Sequence, residues 1–300
     1  MNQQEIYREL LEYISHKLNV LPDKPEENPE NTLHALWLYS CGINANQQTN
    51  SSLPLPELDE KSLAILQKLI QRRIKGTPLA HLTGVEKFMN IEFKIDSRAL
   101  IPRKETELLG YAALERINEI ARNKSVVDTI DVCTGMGNLA LAFAYHQPKT
   151  KVWASDLSED AILLAKQNAQ KLGLEEKVIF FTGDLLEPLS RENLSDSIDV
   201  LTCNPPYISS AKVEKMPDEI SKHEPKMAFD GGSIGLQIIF RLINEAPAFL
   251  RNNGWLCFEV GSGQGEGLLK FVKRNEAFSR IETVKTEAGD IRVILAQVDK

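Results

Sequence analysis

The fold is decided by the stretch Asp131-Val132-Cys133-Thr134-Gly135-Met136-Gly137-Asn138. It ends an apolar, β-branched run, Val126–Cys133, that is typical of a buried strand, and it opens a helical pattern at Asn138–Tyr145. Glycine lets the backbone turn tightly between the two, and the first N–H groups of the helix can bind an anionic group. The order predicts a ligand-binding unit of an α/β domain. A tight turn without a ligand remains equally compatible with the two glycines alone.

Strand and helix patterns continue to alternate after this loop. Further strand candidates are Val152–Asp156, Val178–Gly183, Ile198–Cys203 and Trp255–Val260. The helical patterns between them are Glu159–Leu172 and Leu236–Leu250. The last two strands, Ile281–Thr286 and Ile291–Val298, flank a hairpin signal, Glu287-Ala288-Gly289-Asp290. We therefore predict a doubly wound α/β domain with a largely parallel sheet and an antiparallel C-terminal hairpin.

The N-terminal part predicts a small all-α domain over residues 1–75. Helical spacing of apolar residues runs through Ile6–Leu18, Leu33–Tyr39 and Ser62–Ile74. The Asn-, Gln- and Ser-rich stretch Gly42–Pro56 predicts a loop. We expect a β-hairpin linker over residues 76–102, and the α/β domain over residues 103–300, beginning with a helix at Thr106–Ala121.

The composition narrows the class of protein. With 300 residues, of which 42% are hydrophobic, the chain can bury a sizeable core. Lys and Arg number 35 and Asp and Glu 42, so the net charge is −7, which argues against nonspecific nucleic-acid binding. No apolar run reaches the ~20 residues of a membrane helix. The cysteines, Cys41, Cys133, Cys203 and Cys257, are widely spaced, so we expect reduced thiols, no metal site and a cytoplasmic protein. We also expect a monomer.

Acidic residues follow the next two predicted strands. Asp156 lies 21 residues after Gly135, where a carboxylate can accept hydrogen bonds from ribose hydroxyls. Asp184 follows the third strand and can accept from the amino group of an adenine. Because the carboxyl ends of parallel strands share one sheet edge, we expect both to face the glycine loop. A helix cap for Asp156 and a turn for Asp184 are the plain alternatives.

The fourth strand ends in the most specific motif of the chain, Asn204-Pro205-Pro206-Tyr207-Ile208. Two consecutive prolines keep the backbone extended and remove two N–H donors, so carbonyl oxygens are the available backbone groups. Asn204 adds an amide that can accept and donate, and Tyr207 adds a flat face. Together they suit a planar amino or amide nitrogen whose hydrogens are held by carbonyls while its lone pair faces an electrophile. A proline-rich turn is the alternative.

On these residues, the sequence resembles the class I S-adenosylmethionine-dependent methyltransferases with an Asn-Pro-Pro-Tyr motif. More narrowly, it resembles the protein-(glutamine-N5) methyltransferases of peptide-chain release factors, the HemK/PrmC family, over about residues 70–298. The stretches that carry the resemblance are Arg73-x-x-Gly76-x-Pro78-Leu79, Ile101-Pro102-Arg103-Lys104-Glu105-Thr106-Glu107, Thr134-Gly135-x-Gly137, Asn204–Ile208, Glu224-Pro225, Ala228-x-Asp230-Gly231-Gly232, and Gly289 with Arg292. The C-terminal hairpin fits the methyltransferase variant of the Rossmann-like fold better than the dehydrogenase variant.

The resemblance implies a cofactor, S-adenosylmethionine, and a role for each motif. The cofactor-binding residues would be Cys133, Thr134, Gly135, Met136, Gly137, Asp156, Asp184, Leu185, Asn204 and Thr106. The acceptor would be the glutamine of the Gly-Gly-Gln loop of a release factor, bound by Asn204, Pro205, Pro206 and Tyr207, of which Asn204, Pro205 and Tyr207 would be catalytic. The helical domain would recognise the protein substrate.

The chain departs from the family pattern at several positions. Cys133 and Met136 replace small residues of the glycine loop, Cys203 stands where serine is usual, and His81 stands where an aromatic residue is common. A methyltransferase of the same scaffold that acts on a small molecule therefore stays open. So do an adenine-N6 nucleic-acid methyltransferase, which shares the Asn-Pro-Pro-Tyr motif, and a cofactor-binding scaffold without turnover.

Overall fold

The computed structural model describes residues 2–21, 24–43 and 53–300. The chain divides into two compact units, Met1–Ser97 with Pro217–His223, and Arg98–Met216 with Glu224–Lys300. Residues 44–52 of the predicted loop lie outside the described residues. The assignment of a recognition domain to residues 1–75, a linker to 76–102 and a catalytic domain to 103–300 stays a prediction.

The first unit is built from helices and a hairpin. Its elements are α1 (Gln3–Lys17), α2 (Pro29–Ser40), α3 (Glu60–Ile74), α4 (Leu79–Thr83), β1 (Val85–Phe88), β2 (Ile91–Lys94) and a short turn of helix at Asp218–Ser221. Asn2 and Glu5 form a capping box at the start of α1, and Asp59 caps α3. The apolar faces of the helices bury Leu36, Trp37 and Leu66 completely. The amphipathic spacing in the sequence is thus the face that forms this core.

The second unit is a seven-stranded sheet with helices packed on it. Its elements are α5 (Thr106–Ala121), β3 (Val127–Val132), α6 (Asn138–His146), β4 (Thr150–Asp156), α7 (Glu159–Leu172), β5 (Val178–Thr182), β6 (Ile198–Cys203), a short helix (Ser210–Val213), α8 (Gln237–Glu245), β7 (Leu250–Glu259), α9 (Gly265–Val272), β8 (Phe278–Lys285) and β9 (Ile291–Val298). The strand order is β5-β4-β3-β6-β7-β9-β8. Strands β3 to β7 pair in parallel, and β9 and β8 pair antiparallel.

This arrangement confirms the predicted fold class. Several predicted bounds differ, and the largest differences follow Leu236: the helical pattern Leu236–Leu250 ends as an α-helix at Glu245. Pro247 lacks an N–H and cannot continue the ladder, so one turn of 3₁₀ helix, Ala246–Ala248, follows. Strand β7 then begins at Leu250, which is earlier than the predicted Trp255.

The sheet topology places the candidate residues at one edge. The chain crosses from β3 to β4 on one side and returns to β6 on the other, so the strand order reverses at β3. Open α/β sheets bind ligands in the crevice outside the carboxyl ends of strands at such a point. Val132 pairs with Cys203, which brings the glycine loop beside Asn204. None of the helices in the described ranges is both long and apolar enough to cross a membrane.

Candidate active site

A cavity of about 620 Å³ lies at the carboxyl ends of the parallel strands. Its lining comes from the second unit alone and includes residues of the glycine loop, of the strand ends and of two loops. They are Arg98, Ala99, Leu100, Pro102, Arg103, Thr106, Cys133, Thr134, Gly135, Asn138, Leu139, Asp156, Leu157, Ser158, Ala161, Asp184, Leu185, Asn204, Pro206, Pro225, Lys226, Met227, Ala228, Asp230 and Ile238. In the described part of the chain, no cluster of His, Cys, Asp and Glu is placed to hold a metal ion.

The glycine loop faces this cavity with only part of its length. Cys133, Thr134 and Gly135 line the cavity. Met136 and Gly137, in the same loop, are buried and do not line it. The φ of Gly137 is +84°, and a Cβ there would lie 3.1 Å from Leu141 Cδ1 and 3.2 Å from Ala165 Cβ. Gly137 therefore allows the loop to pack closely on its neighbours.

A buried carboxyl group supports the loop from below. Asp131 Oδ2 accepts a hydrogen bond from Thr134 Oγ1 at 2.6 Å, and Oδ1 accepts from Thr202 Oγ1 at 2.6 Å. Burial raises the pKa of Asp131 to about 6, and the two hydroxyls oppose that rise. Asp131 thereby ties β3, β6 and the loop together. Sequence spacing alone does not predict this role of Asp131, because its contact with Thr202 depends on the pairing of β3 with β6.

The two acidic residues of the strand ends have different surroundings. Asp156 Oδ2 accepts from the backbone N–H of Gly135 at 2.8 Å, and Oδ1 accepts from that of Ser158 at 2.9 Å. Burial raises the pKa of Asp156, and these N–H donors oppose the rise. Asp184 also lines the cavity, but its half-exposed carboxylate pairs with Arg241 Nη1 at 2.8 Å. Asp156 thus fixes the glycine loop, whereas Asp184 is held from α8.

The Asn-Pro-Pro-Tyr motif places Asn204 and Pro206 on the cavity wall, whereas Pro205 is buried and the half-buried Tyr207 is not among the lining residues. Asn204 Nδ2 donates to Thr106 Oγ1 at 3.1 Å, and Thr106, at the start of α5, is only 2% exposed. The amide nitrogen is thus engaged inside the protein. The oxygen Oδ1 remains available as an acceptor.

Tyr207 is held by two charged residues, Glu259 and Arg292, of which sequence reasoning missed Glu259. Its hydroxyl donates to Glu259 Oε1 at 3.0 Å and accepts from Arg292 Nη2 at 2.8 Å. Its carbonyl accepts from Gln264 Nε2 at 2.9 Å. Burial, followed by the nearby Glu259 charge, raises the pKa of Tyr207, so the phenol stays protonated. Arg292 was visible as part of the resemblance, but its partner was not.

Glu224 holds in place residues 98–103, which form one side of the cavity. Glu224, whose side chain is 1% exposed, accepts from Arg103 Nη2 at 2.7 Å and from the backbone N–H of Ile101 at 2.8 Å. Pro225 and Met227, which follow it, line the cavity on that side. In the sequence, residues 101–107 and Glu224-Pro225 are two separate stretches of the family resemblance. In the structure they are the two halves of one contact.

Comparison with known proteins identifies the family. The sequence matches the family described as "Methyltransferase small domain" over residues 114–236. It is 38% identical over 228 residues, 76% of this chain and 77% of the relative, to a release factor glutamine methyltransferase of Moorella thermoacetica. A release factor glutamine methyltransferase of Rhodopirellula baltica is 31% identical over 275 residues, 91% of each chain. The chain belongs to the release factor glutamine methyltransferase family.

The resemblance inferred from the sequence is thereby confirmed, and this family member is a methyltransferase with S-adenosylmethionine as its cofactor. The structure of a human methyltransferase 10 domain containing protein has the same fold, with a TM-score of 0.51 at 17% identity, covering 69% of this chain and 88% of that one. The cavity of the methyltransferase suits its cofactor in size, since small-molecule sites typically measure about 300–1,000 Å³. It also offers N–H donors at the start of α6 and an acceptor at Asp156.

Proposed function

We propose that this methyltransferase transfers a methyl group from S-adenosylmethionine to the side-chain amide nitrogen of a glutamine in a peptide-chain release factor, most simply that of the Gly-Gly-Gln loop. The names of the relatives support this acceptor. The observation that carries the proposal is the Asn204–Thr106 hydrogen bond, which leaves Asn204 Oδ1 as a hydrogen-bond acceptor on the cavity wall. We further propose that the enzyme works as a cytoplasmic monomer.

The cofactor would bind along the glycine loop and the strand ends. Backbone groups of Cys133, Thr134 and Gly135 would meet its methionine part, aided by the N-terminus of α6. Asp156 would accept from the ribose hydroxyls, and Asp184 with Leu185 would border the adenine. Met136 and Gly137, which are buried behind the loop, would act by shaping it.

Methyl transfer to an amide nitrogen depends more on how the nitrogen is oriented than on a catalytic base. S-adenosylmethionine would supply a methyl group on a sulfonium: a nitrogen in line with the C–S bond would bond to the methyl carbon as that bond breaks, and the neutral thioether would leave. Asn204 Oδ1 and the Pro205 carbonyl would accept the two hydrogens of the acceptor NH₂, so that its lone pair faces the methyl group. The methylated amide nitrogen becomes strongly acidic and releases its proton to water. The prolines at 205 and 206 offer no N–H that would compete for the acceptor.

Tyr207 would border the planar amide with its ring. Because Arg292 lies over that ring at 5.2 Å and also hydrogen-bonds its hydroxyl, the ring is fixed before the acceptor arrives. Such preorganisation contributes to the rate because the protein does not reorganise during the reaction.

Labelling tests this proposal directly. The enzyme is incubated with methyl-labelled S-adenosylmethionine and a release factor, with DNA and RNA in parallel, and the label is mapped by mass spectrometry. We expect one methyl group on the glutamine of the Gly-Gly-Gln loop, and no label on a release factor in which that glutamine is replaced by alanine. Label on nucleic acid, or none on the release factor, would contradict the acceptor assignment.

We predict that Asp156→Ala weakens binding of S-adenosylmethionine by about 10–100-fold, which corresponds to the ~1.5–3 kcal/mol of a hydrogen bond to a charged group. The substitution removes the ribose acceptor and also releases the N–H of Gly135. Asp184→Ala is the matched control. Because the Asp184 carboxylate is half-exposed and already paired with Arg241, we expect a change of no more than about threefold. Calorimetric titration measures both, and equal losses would argue against the distinct roles.

A further inference from the structure

An exposed methionine, Met227, lies on the cavity wall, and the reaction proposed above gives it no role. Its exposed fraction is 46%. Among the exposed large hydrophobic side chains of residues 2–21, 24–43 and 53–300, Met227 and Leu157 line the cavity. Leu157 follows Asp156 and therefore lies on the side that we assign to the cofactor. Met227 belongs to a different stretch of the chain, residues 224–235.

Residues 224–235 lie directly on the Asn-Pro-Pro-Tyr motif and on Ile208, which follows it. The N–H of Ile208 donates to the carbonyl of Phe229 at 3.0 Å, and the N–H of Gly231 donates to the carbonyl of Ile208 at 2.8 Å. A Cβ at Gly231 would lie 2.5 Å from the carbonyl oxygen of Pro206. Met227 comes two positions before Phe229 in the sequence. Its side chain therefore lies on the part of the wall that borders the proposed acceptor site.

This stretch is held on both sides of Met227. Before it, the buried carboxylate of Glu224 accepts from Arg103 Nη2 at 2.7 Å. After it, Asp230 Oδ1 accepts from Ser210 Oγ at 2.6 Å. The backbone that carries Met227 is therefore fixed beside the cavity. An apolar side chain that is held in water gains free energy when a binding partner covers it.

A second exposed apolar side chain, Ile234, follows on the same stretch. Its exposed fraction is 59%, and it is not among the lining residues. The next residue is Gly235, whose Cβ, if present, would lie 2.4 Å from the carbonyl oxygen of Tyr207. Ile234 therefore lies close to the Asn-Pro-Pro-Tyr motif but outside the cavity. A small acceptor contained in the cavity would not contact it, whereas a polypeptide that continues beyond the glutamine would.

We propose that Met227 and Ile234 are specificity-determining residues for the acceptor: Met227 contacts the polypeptide beside the glutamine within the cavity, Ile234 contacts it outside, and the enzyme thereby selects a glutamine in a polypeptide segment over a free amide. This inference rests on the proposed function and adds the recognition of the flanking chain to it. A methionine side chain is flexible and polarizable, so it packs against a segment whose residues are small, such as two glycines.

Met227→Ala tests the contact inside the cavity. We expect the KM for release factor to rise about tenfold, near the lower end of the effect of one methylene group in an apolar pocket. We expect an unchanged kcat, because the contact is lost equally from the bound substrate and from the transition state. The Kd for S-adenosylmethionine, measured by calorimetric titration, should stay at the wild-type value. Leu163→Ala is the matched control for KM, since Leu163 has the same exposed fraction, 46%, but lies on α7 and does not line the cavity.

Two further variants make the test specific. Met227→Leu keeps an apolar side chain of similar volume and should keep the wild-type KM. Ile234→Ala should raise the KM for release factor and leave the Kd for S-adenosylmethionine unchanged. A wild-type KM in Met227→Ala or in Ile234→Ala would overturn the inference, and so would an equal rise in the Kd for S-adenosylmethionine. If the wild-type enzyme does not methylate release factor, the proposed function itself fails, and the two failures are distinguishable.

Discussion

Asn204→Ala is expected to abolish methyl transfer, with kcat reduced at least about a thousandfold, while S-adenosylmethionine still binds. Asn204 supplies the side-chain acceptor on the cavity wall next to the Asn-Pro-Pro-Tyr backbone, and Thr106 fixes its orientation. Positioning of reactants contributes up to roughly 7–11 kcal/mol of barrier lowering in well-oriented reactions, so losing the group that orients the nitrogen has a large effect. The glycine loop and Asp156 remain in place to hold the cofactor.

The measurement is single-turnover methylation of release factor beside calorimetric titration of S-adenosylmethionine. Asn123→Ala is the control for truncation of an asparagine, since Asn123 is exposed beyond the end of α5. We expect the control to match wild type in both assays. Near-normal turnover of Asn204→Ala would contradict the assignment of the acceptor site. An equal loss of S-adenosylmethionine binding would instead assign Asn204 to binding of the cofactor.

The sheet of the second unit could be predicted because its signals are local. Apolar, β-branched runs between helical patterns identify strands, and two of them, Ile198–Cys203 and Ile291–Val298, have the predicted bounds. Strand β7 was predicted too short because Arg251-Asn252-Asn253 is polar, although it lies in the strand. Polar residues at the exposed start of a strand break the apolar pattern that prediction depends on.

The candidate site, too, could be predicted only in part. That Asn204 lies near the glycine loop follows from the rule that parallel strand ends share an edge, and the structure places Cys133, Gly135 and Asn204 around one cavity. The outward or inward direction of Met136 could not be predicted, because Gly135 and Gly137 have positive φ and the strand alternation is lost there. The sequence of such a loop does not distinguish residues that line the cavity from residues that are buried beneath it.

Contacts between distant parts of the chain also escaped prediction. Asp184 meets Arg241 57 residues later, and Tyr207 meets Glu259 52 residues later. No spacing rule relates these residues, since each pairing depends on strand register and on how a helix packs. The sequence therefore predicted that the strand ends share one cavity, but not the contacts that hold Asp184 and Tyr207.

Gly235→Ala is expected to lower kcat about a hundredfold by displacing the Asn-Pro-Pro-Tyr backbone. The loop that contains Gly235 crosses directly over this motif: a Cβ at Gly235 would lie 2.4 Å from the carbonyl oxygen of Tyr207 and 3.1 Å from the nitrogen of Ser209. The φ of Gly235 is +72°, which adds strain of roughly 1–2 kcal/mol for any other residue. The Tyr207 carbonyl also accepts from Gln264, so it cannot move without losing that bond.

Gly267→Ala separates this effect from a general response to the added methyl group. Gly267 lies within α9 and has open space where its Cβ would be, so alanine should leave kcat unchanged and stabilise the helix by about 0.5–1 kcal/mol. Thermal unfolding and kcat are measured for both variants. A Gly235→Ala enzyme with wild-type kcat would show that the motif tolerates movement of Tyr207. Because Tyr207 is held through its hydroxyl by Glu259 and Arg292 and through its carbonyl by Gln264, we expect the opposite.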